Sequence, residues 1–134
     1  MTEPMFIDYD SVEREAADGY MTAWHSRPST TGAEQLVVIE VSFEAGSGHD
    51  FHRHPAQEEV IYVIDGVVEQ WLDTKKRTLT AGDSAFIPAG VVHATFNMAS
   101  GPSKFIAILS PCIGDAGYEL EPMHSNLPWK NLRP

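Results

Sequence analysis

The sequence predicts an all-β fold, an antiparallel sandwich or small closed barrel. Three observations predict it. Val37, Ile39, Val41 and Phe43 fall on one side of a period-two run, with Glu40 and Ser42 on the other, the pattern of a half-buried strand. Further short apolar runs recur at near-regular spacing, divided by Gly, Pro and Asp turns, as in sandwiches and barrels. Strands never alternate with long helical stretches, so a doubly wound parallel sheet is excluded.

The elements follow in order. Asp10 and Glu13 have capping-box spacing and Gly19 can close a helix, which predicts a short N-terminal helix over 10–18. From about Tyr20 to Ser110 the chain reads as strands. After the run at 35–44 come 58–64, 67–72, 84–87, 91–96 and 104–109. Asp65-Gly66, Asp73-Thr74, Ala81-Gly82-Asp83 and Ala99-Ser100-Gly101-Pro102 separate them. Lys75, Lys76 and Arg77 are assigned to a turn. The Pro- and Gly-rich stretch 111–134 is expected to be an irregular tail on the surface.

A length of 134 residues suits a single domain over 1–134. With 9 basic and 19 acidic residues the formal charge is −10. Such a chain repels phosphate backbones and anionic lipid, so neither nucleic acid nor membrane is an expected partner. One cysteine, Cys112, leaves no partner for a disulfide within the chain, and it is expected to be an inert thiol. The N-terminal residues lack a signal-peptide pattern, and the longest apolar run, 60–64, is far too short to span a bilayer. A cytoplasmic location is the expectation.

The chemistry is carried by histidines. His52 and His54 are two apart in a segment that reads as extended, so both rings can face one point. Glu59 opens the next run with the parity of Ile61 and Val63, while Glu58 takes the other face. His93 lies some forty residues on, in the separate strand run 91–96. Three imidazoles and a carboxylate suit Mn, Fe, Ni, Co or Zn, and a set that leaves positions for substrate would be catalytic in kind.

The frame around these residues adds a resemblance. Gly46-Ser47-Gly48-His49-Asp50-Phe51-His52-Arg53-His54, four residues to Glu59 and six to Gly66 resemble the first signature of the cupin superfamily. Gly82, five residues to Pro88-Ala89-Gly90, two to His93 and three to Asn97 resemble the second. The two span 46–97 of a chain that thus looks like a small single-domain cupin. The resemblance implies a six- to eight-stranded antiparallel jelly-roll β-barrel. It implies one divalent transition metal ion held by His52, His54, Glu59 and His93, and pairing of subunits as a homodimer. Asn97 is expected to bond backbone rather than metal. His25, His49 and His124 lie outside the signature positions, and of these His49 is close enough to support the ligands.

Parity directs Val37, Ile39, Val41, Phe43, Ile61 and Val63 inward, with Phe86 open to either direction. Phe96 and Tyr62 fall on outer faces, which suggests a partner surface. Arg53 sits between two ligands and faces away. No cluster of basic residues points to a phosphate clamp. The expected function is therefore that of a metal-dependent, dioxygenase-like enzyme acting on a small non-phosphorylated molecule that chelates the metal, with Glu59 also accepting a proton. A metal-dependent isomerase or lyase of a small keto or sugar acid, and a non-catalytic small-molecule-binding module, are the alternatives.

Overall fold

In a computed structural model, which describes residues 2–133, alternation of side chains gives two packed antiparallel sheets. The strands are β1 Glu13–Ala17, β2 Tyr20–Ser26, β3 Val37–Phe43, β4 Gly48–Arg53, β5 Glu58–Asp65 and β6 Val67–Leu72. Then come β7 Lys75–Thr80, β8 Ser84–Ile87, β9 His93–Phe96, β10 Ser103–Ser110 and β11 Glu121–Pro122. One sheet runs β1-β2-β3-β10-β5-β8 and the other β11-β4-β9-β6-β7. Among the described residues no helix is long and apolar enough to cross a membrane.

The period-two reading holds. Val37, Val41, Phe43, Ile61 and Val63 are at most 2% exposed, and Ile39 is 7% exposed. With Phe105, Leu109 and Ile87 they fill the space between the sheets. Phe86 resolves outward, because its neighbours Ala85 and Ile87 take the inner positions of β8. Asn97 donates from its side-chain amide to the carbonyl oxygens of Phe43 and Gly101, as expected.

The predicted helix over 10–18 does not form. A three-residue 3-10 turn covers Tyr9–Ser11, and 13–17 is the edge strand β1, paired with β2. Gly19, with φ +84°, makes the hairpin between them instead of ending a helix. The reason is a cross-strand tie. Glu13 and Glu15 are two apart, so on a strand they share a face, and both bond Nη2 of Arg27, at 2.8 and 3.0 Å. Arg27 is itself buried against Trp24. The single α-helix among the described residues is the short Pro28–Thr31 segment.

Lys75, Lys76 and Arg77 also differ from expectation. They pair with Leu72, Trp71 and Gln70 as the start of β7, and the turn is confined to Asp73-Thr74. The tail is irregular but does more than lie on the surface. Met123, Trp129 and Leu132 cover the outer face of the second sheet, burying Phe51, Trp71 and Ala94 beneath them. Phe96, expected to be exposed, is therefore only 8% exposed, with the Arg133 guanidinium 3.4 Å over its ring. Its parity is outward, but β9 is buried on both faces.

Where β4 meets β9 the backbones approach closely. A Cβ on Gly48 would lie 2.6 Å from the Thr95 carbonyl oxygen and 2.9 Å from Cα of Phe96. Backbone on both sides leaves little room to yield. Gly48→Ala should therefore lower stability by about 1–3 kcal/mol in denaturant unfolding, although alanine ordinarily suits a strand better than glycine.

Candidate metal centre

The sheet topology brings the four signature residues to one point between the sheets. In β4 and β9 His52 stands directly opposite His93. His54 follows the end of β4, and Glu59 reaches in from β5 of the facing sheet. All four are buried, none more than 8% exposed. Glu58 is exposed and Arg53 pairs with Glu121 on the surface, both as alternation requires.

The three imidazoles offer ligand atoms within 4.8 Å of one another, a spacing that could hold a metal ion. Ring centroids are 4.3 Å apart for His52 and His93, 5.0 Å for His52 and His54, and 5.2 Å for His54 and His93. Each ring is tethered the same way. Nδ1 lies 2.7 Å from the Asp50 carbonyl oxygen in His52, 2.7 Å from that of Glu119 in His54, and 3.0 Å from that of Val91 in His93. A carbonyl only accepts, so each Nδ1 carries the proton and donates it. With Nδ1 so engaged, Nε2 is the atom each ring can offer a metal once the ring is neutral.

Glu59 completes the cluster. Its Oε1 is 2.9 Å from Nε2 of His93 and 3.3 Å from Nε2 of His54. Yet Oε1 of Glu59 and Nε2 of His93 are both buried without a hydrogen-bond partner. Two acceptors this close point past one another at common space. A buried carboxylate and an orphaned imidazole nitrogen are costly alone, and a cation between them relieves both. The donor set fits a divalent ion on this ground.

The electrostatics agree. Burial, reinforced by His93, pushes His52 from 6.5 down to about 3, so this ring is neutral at ordinary pH. For His54 burial acts downward, but the Glu59 carboxylate overrides it and raises the ring above its ordinary value. Burial alone would raise Glu59, yet the His54 and His93 rings hold it below the usual carboxylate range. The carboxylate thus stays anionic inside the protein.

A cavity of about 70 Å³ opens onto the cluster, walled by Ile39, Val41, Ile61, Phe105 and Leu109. His49 and Tyr118 also line it. His25 and His124 do not. His49 sits edge-on to Tyr20 and Phe43, its ring 6.3 Å from that of His52, and burial lowers its pKa. Cys112 lies outside the cavity, its thiol pushed up by burial, in keeping with an inert thiol.

Sequence reasoning missed Gln57 and the tail. Gln57 is 1% exposed and donates to the carbonyl oxygens of Pro111 and Gly117, at 2.7 and 3.0 Å, while its Oε1 accepts from the Glu119 amide. Glu119 is the residue whose carbonyl holds His54. A lone glutamine between signature positions carries no periodic signal, and its partners lie 54 to 62 residues away. The available hint was its placement between His54 and Glu59.

Comparison with known proteins adds kinship. A family model described as a cupin domain matches residues 39–109. Germin-like protein 1-1 of Oryza sativa subsp. japonica is 33% identical over 77 residues, covering 54% of this chain and 36% of that protein. The pectin degradation protein KdgF of Dickeya dadantii (strain 3937) is 27% identical over 106 residues, 79% of this chain and 91% of that one. The solved structure of KdgF from Halomonas sp. superimposes with a TM-score of 0.75 at 22% identity, covering 85% of this chain and 99% of that one.

Gln57→Ala should leave the Pro111 carbonyl and the Glu119 amide unpaired, while the Gly117 carbonyl keeps the Ile113 amide, costing about 2–3 kcal/mol. Hydrogen exchange should show faster exchange of the Glu119 amide, with protection in the paired core of β3 and β10 retained.

Proposed function

We propose that this chain, which belongs to the cupin family, is a metal-dependent enzyme with its centre at His52, His54, Glu59 and His93. The observation that supports it most is the shared tether of the three rings, each Nδ1 on a backbone carbonyl, with Nε2 of His54 and His93 beside Glu59. Residues 1–134 act in this reading as one cupin domain, and the ion is Mn, Fe, Ni, Co or Zn.

When bound, the divalent ion supplies a Lewis acid for the oxygens of a small non-phosphorylated substrate. The chain's own groups do the rest. His52, His54 and His93 hold the ion, their rings fixed by the carbonyl tethers. Glu59 holds it too, and as the one carboxylate lining the cavity accepts the proton of an acidic substrate hydroxyl at its Oε1. Ile39, Val41, Phe105 and Leu109 keep water from the reacting atoms. These dry walls favour oxygenase-type chemistry, in which water would quench reactive species. A second reading, an isomerase or lyase of a small keto or sugar acid, draws on the likeness to the relative named for pectin degradation. The exposed Tyr62 and Phe86, on adjacent strands β5 and β8, and the exposed Phe6 support a homodimer.

Elemental analysis of protein purified without added metal tests the centre. The unsubstituted chain should carry close to one ion. His52→Ala and Glu59→Ala should each lose most of it while remaining folded by circular dichroism; retained metal in both overturns the reading. Oxygen uptake with catechols, flavonols or diketones separates the two chemistries, since turnover under strict anaerobiosis excludes the oxygenase.

Metal affinity should fall with falling pH. Without metal, His54 holds its proton more tightly than a free imidazole, so binding the ion expels that proton. His52 is already neutral and expels none. Below the range of His54 the apparent affinity should drop by up to about tenfold per pH unit, the slope of one proton, measured by competition with a buffered chelator.

A further inference from the structure

The inner cavity of about 70 Å³ is small beside the roughly 300 Å³ at which ligand pockets ordinarily begin. A second, outer cleft of about 370 Å³ lies against it. The two share His49, His52, Tyr118 and Leu120 as lining residues. Tyr20 and Pro122 also line the cleft. The shared residues, here called the throat, stand between the outer cleft and the His52, His54, Glu59 and His93 cluster.

The polar groups of the walls are unequally occupied. Thr22 donates its hydroxyl to the Glu15 carbonyl, and Thr95 donates its own to the Gln70 side chain. His54, Glu59 and His93 face the cluster. Among the described residues the His49 ring and the Tyr118 hydroxyl, both at the throat, make no hydrogen bond. No lysine or arginine lines either space. The charged carboxylates present are Glu59 within and Asp50 in the cleft, and the histidines lining the cleft are His49, His52 and His124, so a second negative charge on a bound molecule would meet repulsion and no permanent cation.

We propose that cavity and cleft form one bipartite substrate site. The substrate's oxygen-bearing head lies at the His52, His54, Glu59 and His93 end. An uncharged ring-shaped body lies in the cleft between Tyr20, Tyr118 and Pro122, and His49 hydrogen-bonds the molecule at the throat. This rests on the metal reading above and narrows its substrate to a neutral cyclic chelator. Flat aromatic walls favour a ring, and donors placed at one point fix its orientation.

Cobalt(II)-loaded protein tests it, with the visible spectrum reporting binding. The probes are azide, which fits the inner cavity alone, and two catechols alike in size, neutral 4-methylcatechol and anionic 3,4-dihydroxybenzoate. The neutral catechol should bind at least tenfold more tightly than the anionic one. Leu120→Trp, at an exposed position, should narrow the throat. It should weaken 4-methylcatechol at least tenfold, with cobalt content unchanged and azide affinity within twofold. His49→Phe should weaken 4-methylcatechol several-fold and spare azide. Equal affinity for the two catechols, or 4-methylcatechol binding indifferent to both substitutions, overturns the bipartite site. Failure of the unsubstituted protein to take up cobalt overturns the metal reading itself, and this proposal with it.

Discussion

A carboxylate sealed between two sheets is the constraint on which the rest of the structure turns. Glu59 is 6% exposed and faces two imidazole nitrogens with no hydrogen bond to its Oε1. An ionised group so placed is tolerated only where positive charge or directed dipoles answer it. His54 and His93 answer it from the opposite side, and burial holds the neighbouring His52 neutral. With no hydrogen bond to its Oε1, the carboxylate leaves the middle of the cluster as the place where charge balance is incomplete.

Holding that arrangement demands stiffness from several directions. The β4–β9 register sets His52 against His93, and Gly48 lets the two backbones close on each other. The β10–β5 pairing, with Leu109 opposite Glu59, fixes the depth of the carboxylate. Backbone carbonyls rather than side chains orient the rings, so ring orientation is tied to strand and tail geometry. Where a ring's tether belongs to the irregular tail, Gln57 restores rigidity through three hydrogen bonds of its own.

Much of this was legible in the residues. Period-two alternation placed Val37 to Phe43 inward and Glu59, not Glu58, in the site, because strand geometry alone decides parity. The resemblance of the Gly, Pro and His frame to cupins singled out the four residues that the fold gathers, which spacing by itself left open. Legibility ended where a distant partner decided the outcome. Residues 13–17 carry local helix signals, but Arg27 rewards a strand by gathering Glu13 and Glu15. Phe96 has outward parity, yet the tail converts outside into interior. Gln57 and Glu119 have no local signature, because their roles exist only once segments some sixty residues apart are in contact.

The brace that residues near the C-terminus provide has a consequence for how the chain matures. A polypeptide is made from its N-terminus, so the strands from β1 to β10 leave the ribosome before Glu119 does. A nascent chain ending near Ser110 can pair both large sheets and still lack the carbonyl that orients His54, 65 positions earlier. The centre is thus finished after the scaffold around it, and a growing chain presents His54 untethered until the segment that carries Glu119 is released.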